Sequence, residues 1–330
     1  MQIAVVLAGG VGTRMYPASS DECPKQFLSF GEDGMSLLSR TVQRVENAVD
    51  AVYVLTRPEY ADRISEHAPD ATVLTEPQGK DTGPALVYAA HRLRDVGSDP
   101  VLLCVPSDHY VGHSFASISQ RAMNVAQETN ELVTLGIEPT RAATGYGYIN
   151  PDEKRGDHFT VDGFHEKPDP ETASQYIYDG FYWNAGVFSW TPEALLDAAR
   201  DTELRPLVEA LQSGNEQEGF DAVESVSIDH AVLESTDGLR MVTADVPWDD
   251  LGSWDALRRV CDTDENGTVA LGDVLTIDTD DCVIAAGDES QISAVGVSEL
   301  TIAAYDGRVL VVPTDETQRV RDVVDERSER

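Results

Sequence analysis

Lysine and cysteine are both scarce in this chain, and no apolar run is long enough to cross a membrane. Only four of the 330 residues are lysine, whereas 59 are Asp or Glu, and the formal net charge is −35. This charge repels nucleic-acid phosphates and anionic lipid headgroups, which disfavours binding to either. The carboxylates are spread along the chain without an acidic tail. They predict a salt-adapted protein whose surface repulsion is screened by concentrated salt.

The few cysteines and the N-terminus exclude several further classes. No CxxC pair is present, which argues against a zinc knuckle or a dense disulfide framework. The cysteines are Cys23, Cys104, Cys261 and Cys282. The N-terminal MQIAVVLAGG has no basic region and turns to glycine after six apolar residues, so it predicts neither a signal peptide nor a membrane span. We therefore expect a cytoplasmic protein.

A pair of histidines four residues apart suggests a metal site at first sight. His109 and His113 lie in DHYVGH, which lacks the glutamate of HExxH, and the sequence offers no third protein ligand. Polar packing is therefore the preferred interpretation, and no zinc site is predicted.

The first 140 residues alternate buried strands with amphipathic helices. The apolar run Ile3–Ala8 ends in glycine, and similar runs recur at 51–56, 71–75, 101–105 and 132–137. Helical spacing separates them, for instance at 36–46 and 82–94. This order predicts an α/β fold with a doubly wound, mainly parallel nucleotide-binding sheet, whose ligands bind at the carboxyl ends of the strands.

The character of the sequence changes twice after this. Residues 145–190 are aromatic and punctuated by glycine, which predicts an inserted mixed-sheet lid. After about Asp264, short β runs alternate with Gly and Asp turns, which indicates a small all-β unit similar to a coil of a β-helix, closed by a helix at 317–329. We therefore predict a larger domain at 1–264 and a β-helix-like domain at 265–330.

The turn after the first apolar run carries the strongest chemical signal. Gly9, Gly10 and Gly12 allow the backbone to approach a ligand and to present N–H groups to phosphate oxygens, while Arg14 and Lys25 add positive charge. The turn fits neither GxGxxG nor the Walker A pattern. It predicts a phosphate cradle with two cations.

This turn, LAGGVGTRMYPASSDECPKQFLSF at 7–30, resembles the signature of the sugar-1-phosphate nucleotidyltransferases, in particular the mannose-1-phosphate guanylyltransferases. Seven more segments match the family in order, and the pattern at 272–312 is similar to the family's C-terminal β region. The segments are EPQGKDTGPAL (76–86), VPSDHYV (105–111), TGYGYI (144–149), FHEKPD (164–169), WNAGVFSW (183–190), SIDHAVLE (227–234) and WDDLGSWDAL (248–257). The resemblance implies Mg²⁺-dependent transfer of GMP from GTP to mannose 1-phosphate, giving GDP-mannose and pyrophosphate.

The resemblance also implies roles for individual residues. Arg14 and Lys25 would bind the triphosphate, and Asp108 and Asp250, but not the adjacent Asp249, would hold Mg²⁺. The nucleotide-binding set would be Leu7, Ala8, Gly9, Gly10, Gly12, Thr13, Gln78, Lys80 and Asp81. The sugar phosphate would be bound by Tyr146, Gly147, Glu166, Lys167 and Asn184, with Asn184 both donating and accepting hydrogen bonds.

The sequence leaves the choice of base, the exact activity and the oligomeric state open. The family's usual Arg-Asn-Thr-Ala-Pro is replaced here by Lys80-Asp81-Thr82-Gly83-Pro84, which leaves the choice of base less determined. Thymidylyl or uridylyl transfer to glucose 1-phosphate is therefore one alternative, and a non-catalytic nucleotide-sugar-binding regulator is another. The resemblance is compatible with a homodimer, since relatives of this type are often dimers.

Overall fold

The apolar run at the N-terminus forms strand β1 (Gln2–Leu7), part of a nine-stranded sheet. The structure is a computed structural model that describes residues 1–31, 33–112 and 114–328. His113, which was considered with His109 as a metal ligand, lies outside the described residues. Within the described ranges, no helix is both long and apolar enough to span a membrane.

The remaining strands follow in chain order. They are β2 (Ala51–Thr56), β3 (Thr72–Thr75), β4 (Val101–Pro106), β5 (Tyr110–Val111), β6 (Leu132–Ile137), β7 (Tyr148–Arg155), β8 (His158–His165), β9 (Tyr182–Trp190), β10 (Leu239–Thr243), β11 (Trp248–Asp249), β12 (Val269–Leu271), β13 (Asp273–Ile277), β14 (Val283–Ala286), β15 (Gln291–Val295), β16 (Leu300–Tyr305) and β17 (Arg308–Pro313).

The α-helices of the described residues follow in chain order as well. They are α1 (Leu37–Glu46), α2 (Ala61–His67), α3 (Thr82–Leu93), α4 (Phe115–Thr129), α5 (Pro170–Tyr178), α6 (Pro192–Arg200), α7 (Arg205–Gln212), α8 (Glu216–Asp221), α9 (Leu257–Val260) and α10 (Val320–Ser328).

The large sheet has the order β3-β2-β1-β4-β9-β6-β10-β8-β7. Its first four strands are parallel, and β6 is parallel to β10, whereas β9 runs antiparallel between β4 and β6. The predicted α/β fold is confirmed, and the sheet is mixed. The predicted lid needs a correction, because β7, β8 and β9 belong to the main sheet. Strand β9 is too apolar for an exposed lid, since the second half of WNAGVFSW is fully buried.

Both faces of the parallel half are covered, which explains why β1 is apolar without alternation. Ile3 and Val5 face a core shared with helices α3, α6, α7 and α8, while Ala4 and Val6 point to the opposite face. All four side chains are fully buried. A strand with two covered faces requires apolar residues at every position.

The chain divides into two compact units that are not contiguous in sequence. The sheet unit comprises residues 1–9, 41–106 and 112–248, and the signature unit comprises 10–40, 107–111 and 249–330. The predicted boundary at 264/265 divides the chain in sequence order and stays a prediction, whereas each compact unit is built from separated segments. The physical reason is a shared core, in which Met15 and Leu28 of the glycine-rich turn pack with Trp254, Val283 and Ala303.

The C-terminal strands form the predicted all-β arrangement. Strands β12, β14 and β16 are parallel neighbours, β17 closes that sheet antiparallel, and β13 pairs with β15 in a separate parallel sheet. The last helix differs from the prediction of 317–329, because a 3₁₀ segment at Thr314–Arg319 precedes α10. The end of the predicted helix, Glu329, lies outside the described residues.

Candidate active site

The glycine-rich turn of the signature unit places Lys25 by a close backbone approach. Gly12 has φ of 73°, and a Cβ atom added to it would lie only 2.4 Å from Cβ of Lys25. The backbone N–H of Lys25 donates to the carbonyl of Val11 at 2.9 Å. Any other residue at position 12 would have to adopt a left-handed conformation and push Lys25 away, so glycine is required there.

The ammonium of Lys25 is buried among oxygen atoms of the same unit. Its Nζ lies 2.8 Å from Oδ2 of Asp108 and donates to the backbone carbonyl of Asp250 at 2.7 Å. Because a buried charge is stable only when it is paired and hydrogen-bonded, these contacts explain how a lysine can be 4% exposed. Nζ carries three N–H groups, of which these contacts use two. The third can donate to a phosphate oxygen.

The charges around Lys25 set the protonation states of its neighbours. Burial alone would raise the pKa of Asp108, but the Lys25 ammonium and the hydrogen bond to it outweigh burial and hold that pKa below its usual range. The adjacent imidazole of His109 has its pKa lowered, mainly by burial. At neutral pH this cluster therefore contains an ionised carboxylate, an ammonium and a neutral imidazole.

Two adjacent aspartates of the signature unit have different environments. Asp249 is buried, and its carboxylate accepts from Nε of Arg259 at 2.6 Å and from the backbone N–H of Leu251 at 2.9 Å. Asp250 is half-buried, and its Oδ1 accepts from the backbone N–H of Gly252 at 3.1 Å. The Asp249 carboxylate is committed to the fold, whereas ligand binding by the half-buried Asp250 stays a prediction.

The donor set around Lys25 is suited to a hard divalent cation. Asp108 places a carboxylate oxygen beside Lys25, whereas Asp250 contacts Lys25 through its backbone carbonyl. Mg²⁺ needs only one or two carboxylates, because water and phosphate oxygens complete its octahedral shell. Among the described residues, no group of three or more His, Cys, Asp or Glu side chains could enclose a metal ion. The residues therefore fit a cation that arrives with a triphosphate better than one held by protein ligands alone.

Arg14 is positioned by the C-terminal segment of its own unit. Its Nη1 donates to Oε1 of Gln318 at 3.2 Å, and Nε2 of Gln318 donates to Oγ of Ser253 at 2.7 Å. A guanidinium has five N–H donors in a planar fork, so this contact leaves several of them for a phosphate. The segment after β17 thus helps to orient a predicted triphosphate-binding residue.

In the sheet unit, the end of β1 meets a buried carboxylate that the sequence analysis did not single out. Glu76 follows β3, and its Oε1 would lie 3.3 Å from a Cβ atom added to Gly9. The side chain of Arg57 also lies against Gly9. In the signature unit, a Cβ on Gly10 would have no neighbour within 4 Å among the described residues. The backbone is therefore tightly packed at Gly9 and open at Gly10.

Glu76 is 5% exposed, and among the described residues its Oε2 has no hydrogen-bond partner. Burial raises the pKa of Glu76 to about 7, although the nearby guanidinium of Arg57 acts in the opposite direction. A buried acceptor without a donor beside the nucleotide motif is poised for a ligand that brings its own N–H groups. Its place in the matched segment EPQGKDTGPAL was the available signal.

The loop that departs from the family pattern makes contacts within the sheet unit. Nζ of Lys80 donates to the carbonyl of Val223 at 2.7 Å, and the side chain of Asp81 accepts from the backbone N–H of Thr82 at 2.7 Å. Gln78 is exposed in the same loop. Nucleotide binding by these three residues stays a prediction, and the first two have additional structural contacts.

A second polar group of the sheet unit contains the predicted sugar-binding residues. The backbone N–H of Asn184 donates to the carbonyl of Gly147 at 2.8 Å. Oε2 of Glu166 lies so near the Gly147 Cα that an added Cβ would be 2.6 Å from it, and Oε1 of Glu166 pairs with the exposed Lys167. The structure thus brings these four residues of three separate motifs together.

Asp229, which the sequence analysis did not single out, joins this group. Nδ2 of Asn184 donates to Oδ1 of Asp229 at 2.9 Å. Burial, reinforced by the negative charge of Glu166, raises the pKa of Asp229 to about 6. The signal was again present in the sequence, because Asp229 lies in the matched segment SIDHAVLE.

Comparison with known proteins identifies the family of this arrangement. The profile of the Nucleotidyl transferase family matches residues 3–267, and that of the MannoseP isomerase/GMP-like beta-helix domain matches 272–326. The chain belongs to the nucleotidyl transferase family. The predicted family is thereby confirmed, as is the prediction that the protein is a nucleotidyltransferase enzyme.

Individual relatives are similar in sequence to this nucleotidyltransferase along almost its whole length. It is 33% identical to the mannose-1-phosphate guanylyltransferase of Salmonella muenchen, with 98% of this chain and 72% of the relative covered. It is 32% identical to the enzyme of that name from Klebsiella pneumoniae, with 98% and 74% covered. A solved structure described as mannose-1-phosphate geranyltransferase from Thermus thermophilus is 34% identical, with a TM-score of 0.90 and 99% of each chain covered.

The predicted site residues of the nucleotidyltransferase therefore fall into groups within its two units. Lys25, Asp108 and Asp250 meet in the signature unit, which also contains Gly10, Gly12, Thr13 and Arg14. Leu7, Ala8 and Gly9 lie in the sheet unit. The base-side and sugar-side residues lie in the sheet unit. Each motif's role in binding stays a prediction, which the experiments below address.

Tyr146 has a packing role that its neighbours make clear. Its ring lies 5.1 Å from each of Trp183 and Trp248, and its hydroxyl accepts from the guanidinium of Arg141 at 3.0 Å. The same guanidinium lies over the Trp183 ring at 5.1 Å. These contacts commit the phenol to packing and hold the turn that carries the buried Gly147. Sugar binding by Tyr146 and Gly147 stays a prediction.

Proposed function

We propose that this nucleotidyltransferase transfers GMP from GTP to mannose 1-phosphate, forming GDP-mannose and pyrophosphate. The observation that carries the proposal is the buried Lys25, bonded to the Asp108 carboxylate and to the Asp250 carbonyl. In this reaction a sugar-phosphate oxygen attacks the α-phosphorus of the triphosphate, and the bond to pyrophosphate breaks. The attacking oxygen is already ionised at neutral pH, so the protein must align and neutralise two anions rather than remove a proton.

The residues of the signature unit meet this requirement. Lys25 and Arg14 offer N–H donors to phosphate oxygens, and the glycine turn offers backbone N–H groups. We propose that Asp108 and Asp250 hold Mg²⁺, which would neutralise charge on the triphosphate when bound. A protein with so few lysines keeps one, fully buried, at this position. That is difficult to explain by solubility or packing.

Glu76 favours guanine over the alternative pyrimidine bases. The Watson–Crick edge of guanine has two adjacent donors, N1–H and the 2-amino group, and a carboxylate can accept from both. Thymine and uracil have a single N–H between two carbonyl oxygens, which a buried carboxylate would repel. The names of the relatives support the same base and support mannose 1-phosphate as the acceptor.

A substrate panel tests the proposal. GTP, UTP, dTTP and ATP would each be incubated with mannose 1-phosphate or glucose 1-phosphate, and pyrophosphate release would be followed with Mg²⁺ and with excess EDTA. We expect the fastest release with GTP and mannose 1-phosphate, and none with EDTA until Mg²⁺ is restored. Faster release with another pair would contradict the substrate proposal.

The regulatory alternative gives a different outcome in the same panel. A non-catalytic relative would bind GDP-mannose but release no pyrophosphate with any pair. Lys25→Met is the control for contaminating activity, because it removes the buried ammonium and should abolish turnover by the purified protein.

A further inference from the structure

We propose that Asp229 binds a hydroxyl group of the hexose and so helps to determine which sugar 1-phosphate is accepted. The proposal rests on the proposed function, since it concerns the acceptor of that reaction. It starts from the direct hydrogen bond of 2.9 Å between Asp229 and Asn184, a residue of the predicted sugar-binding set.

The hydrogen bonds of Asn184 show why another acceptor is needed. Its Oδ1 already accepts from Oγ1 of Thr134 at 3.0 Å and from the backbone N–H of Gly186 at 3.1 Å. An amide oxygen has two lone pairs, and both are used. The expectation that Asn184 both donates to and accepts from the sugar therefore needs correction, because only one N–H of its amide is left for a ligand.

The remaining acceptors in this group are carboxylate oxygens. Glu166 has one oxygen against Gly147 and the other paired with Lys167. Asp229 uses Oδ1 for Asn184, while the half-buried side chain keeps Oδ2 for a further donor. Hexose hydroxyls are donors that need such acceptors. Asp229 is thus the best-placed acceptor beside Asn184.

The backbone before Asp229 is held firmly, as a specificity residue requires. The backbone N–H of Ile228 donates to Oγ1 of Thr82 at 2.9 Å, and that of Val226 donates to the carbonyl of Lys80 at 3.2 Å. In return, the N–H of Gly83 donates to the carbonyl of Val226 at 3.0 Å. These three bonds, one to the loop before α3 and two to the first turn of α3, fix the chain just before the carboxylate, so this segment needs little further ordering when a ligand binds.

The test compares Asp229→Asn with Glu234→Gln in the full-length protein. Glu234 ends the same helical turn and pairs with His230, so its variant controls for a change of charge near the segment. Losing a hydrogen bond to a charged acceptor should raise KM for mannose 1-phosphate about 10- to 100-fold. KM for GTP should stay within about twofold. Binding of GDP-mannose should weaken by the same factor, while binding of GDP stays unchanged.

The outcomes separate this inference from the proposed function. If the wild type shows no turnover with GTP and mannose 1-phosphate, the proposed function fails. If the wild type is active and Asp229→Asn leaves KM for the sugar phosphate and GDP-mannose binding unchanged, the inference alone is overturned. It is also overturned if both KM values rise together with a lowered melting temperature, because Asp229 would then be structural.

A second variant keeps the test decisive if Asp229→Asn does not fold. Asp229→Glu retains the charge but moves it by one methylene. It should still weaken GDP-mannose binding relative to GDP binding, and equal affinity for the two ligands relative to wild type would overturn the inference.

Discussion

At the scale of single residues, two adjacent aspartates have different predicted roles because they differ in burial. The carboxylate of Asp249 is committed to Arg259 and a backbone N–H, whereas Asp250 is half-buried. We expect Asp250→Asn to lower kcat by about 100-fold or more with little change in melting temperature. Asp249→Asn should instead reduce the free energy of unfolding by about 2 kcal/mol, because it weakens a buried charge-assisted bond. Steady-state kinetics and thermal unfolding of both variants check this, and equal kinetic losses would contradict it.

Glu76 gives a residue-scale prediction about pH. Burial raises its pKa to about 7, so the carboxylate that would accept from guanine becomes protonated as pH falls below 7. KM for GTP should therefore rise on acidification from pH 8 to pH 6. Glu76→Gln should raise KM for GTP about tenfold at pH 8 and remove this pH dependence. A variant that keeps the wild-type pH profile would exclude Glu76 from base binding.

The same group affects stability with a definite sign. Between pH 4.5, the ordinary pKa of glutamate, and about 7, the folded state binds more protons at Glu76 than the unfolded state does. The contribution of Glu76 to the free energy of unfolding therefore falls as pH rises through this range. Glu76→Gln should lose this part of the pH dependence, which thermal unfolding at several pH values measures.

At the scale of elements, the loop before α3 holds the segment that precedes Asp229. Two residues that depart from the family pattern, Lys80 and Gly83, contact this segment. Lys80 donates to the carbonyl of Val223, and a Cβ on Gly83 would lie 2.7 Å from the carbonyl of Val226. An alanine at position 83 would therefore collide with backbone. Both changed residues therefore contact the same segment, Lys80 at Val223 and Gly83 at Val226.

This contact leads to a prediction for Lys80. Replacing it by methionine should loosen residues 223–228 and raise KM for mannose 1-phosphate severalfold, with a smaller effect on KM for GTP. Lys154→Met is a matched control, because Lys154 is exposed on β7. If KM for GTP rises more than KM for the sugar phosphate, the nucleotide role implied by the family resemblance is favoured instead.

Features set by residues that are close in sequence could be predicted, whereas features set by contacts between distant parts of the chain could not. Strand β2 and helix α3 were predicted to within one residue, because burial and helix capping leave local patterns. The position of β9 in the sheet was not predicted, because its neighbours β4 and β6 are distant from it in sequence. Lys25 was identified as a cation, but its partners are 83 and 225 residues away. Glu76 and Asp229 were missed because one acid among 59 carries no local sign of burial.

At the scale of the whole molecule, the dominant property is charge. With 59 acidic and 24 basic residues, carboxylates repel one another unless ions screen them. The screening length falls from about 10 Å at 0.1 M salt to about 3 Å at 1 M. We propose that the protein is adapted to high salt in the cytoplasm. That the protein forms a homodimer also stays a prediction, and analytical ultracentrifugation can measure its oligomeric state.

The salt prediction has a simple thermal test. The melting temperature should rise by several degrees between 0.1 M and 2 M KCl. Sucrose at the same osmolality is the control, since it is excluded from the surface but does not screen charge. A melting temperature that is independent of KCl, or that rises equally with sucrose, would contradict salt adaptation through screening.

The most direct measurement of the central claim follows the α-phosphorus itself. GTP labelled at that position would be incubated with mannose 1-phosphate and Mg²⁺, using wild type, Lys25→Met and the Asp250→Asn and Asp249→Asn pair. The account predicts label in GDP-mannose for wild type and Asp249→Asn, and almost none for Lys25→Met and Asp250→Asn. Label that appears in GDP-mannose at the wild-type rate without the Lys25 ammonium or the Asp250 carboxylate would contradict it.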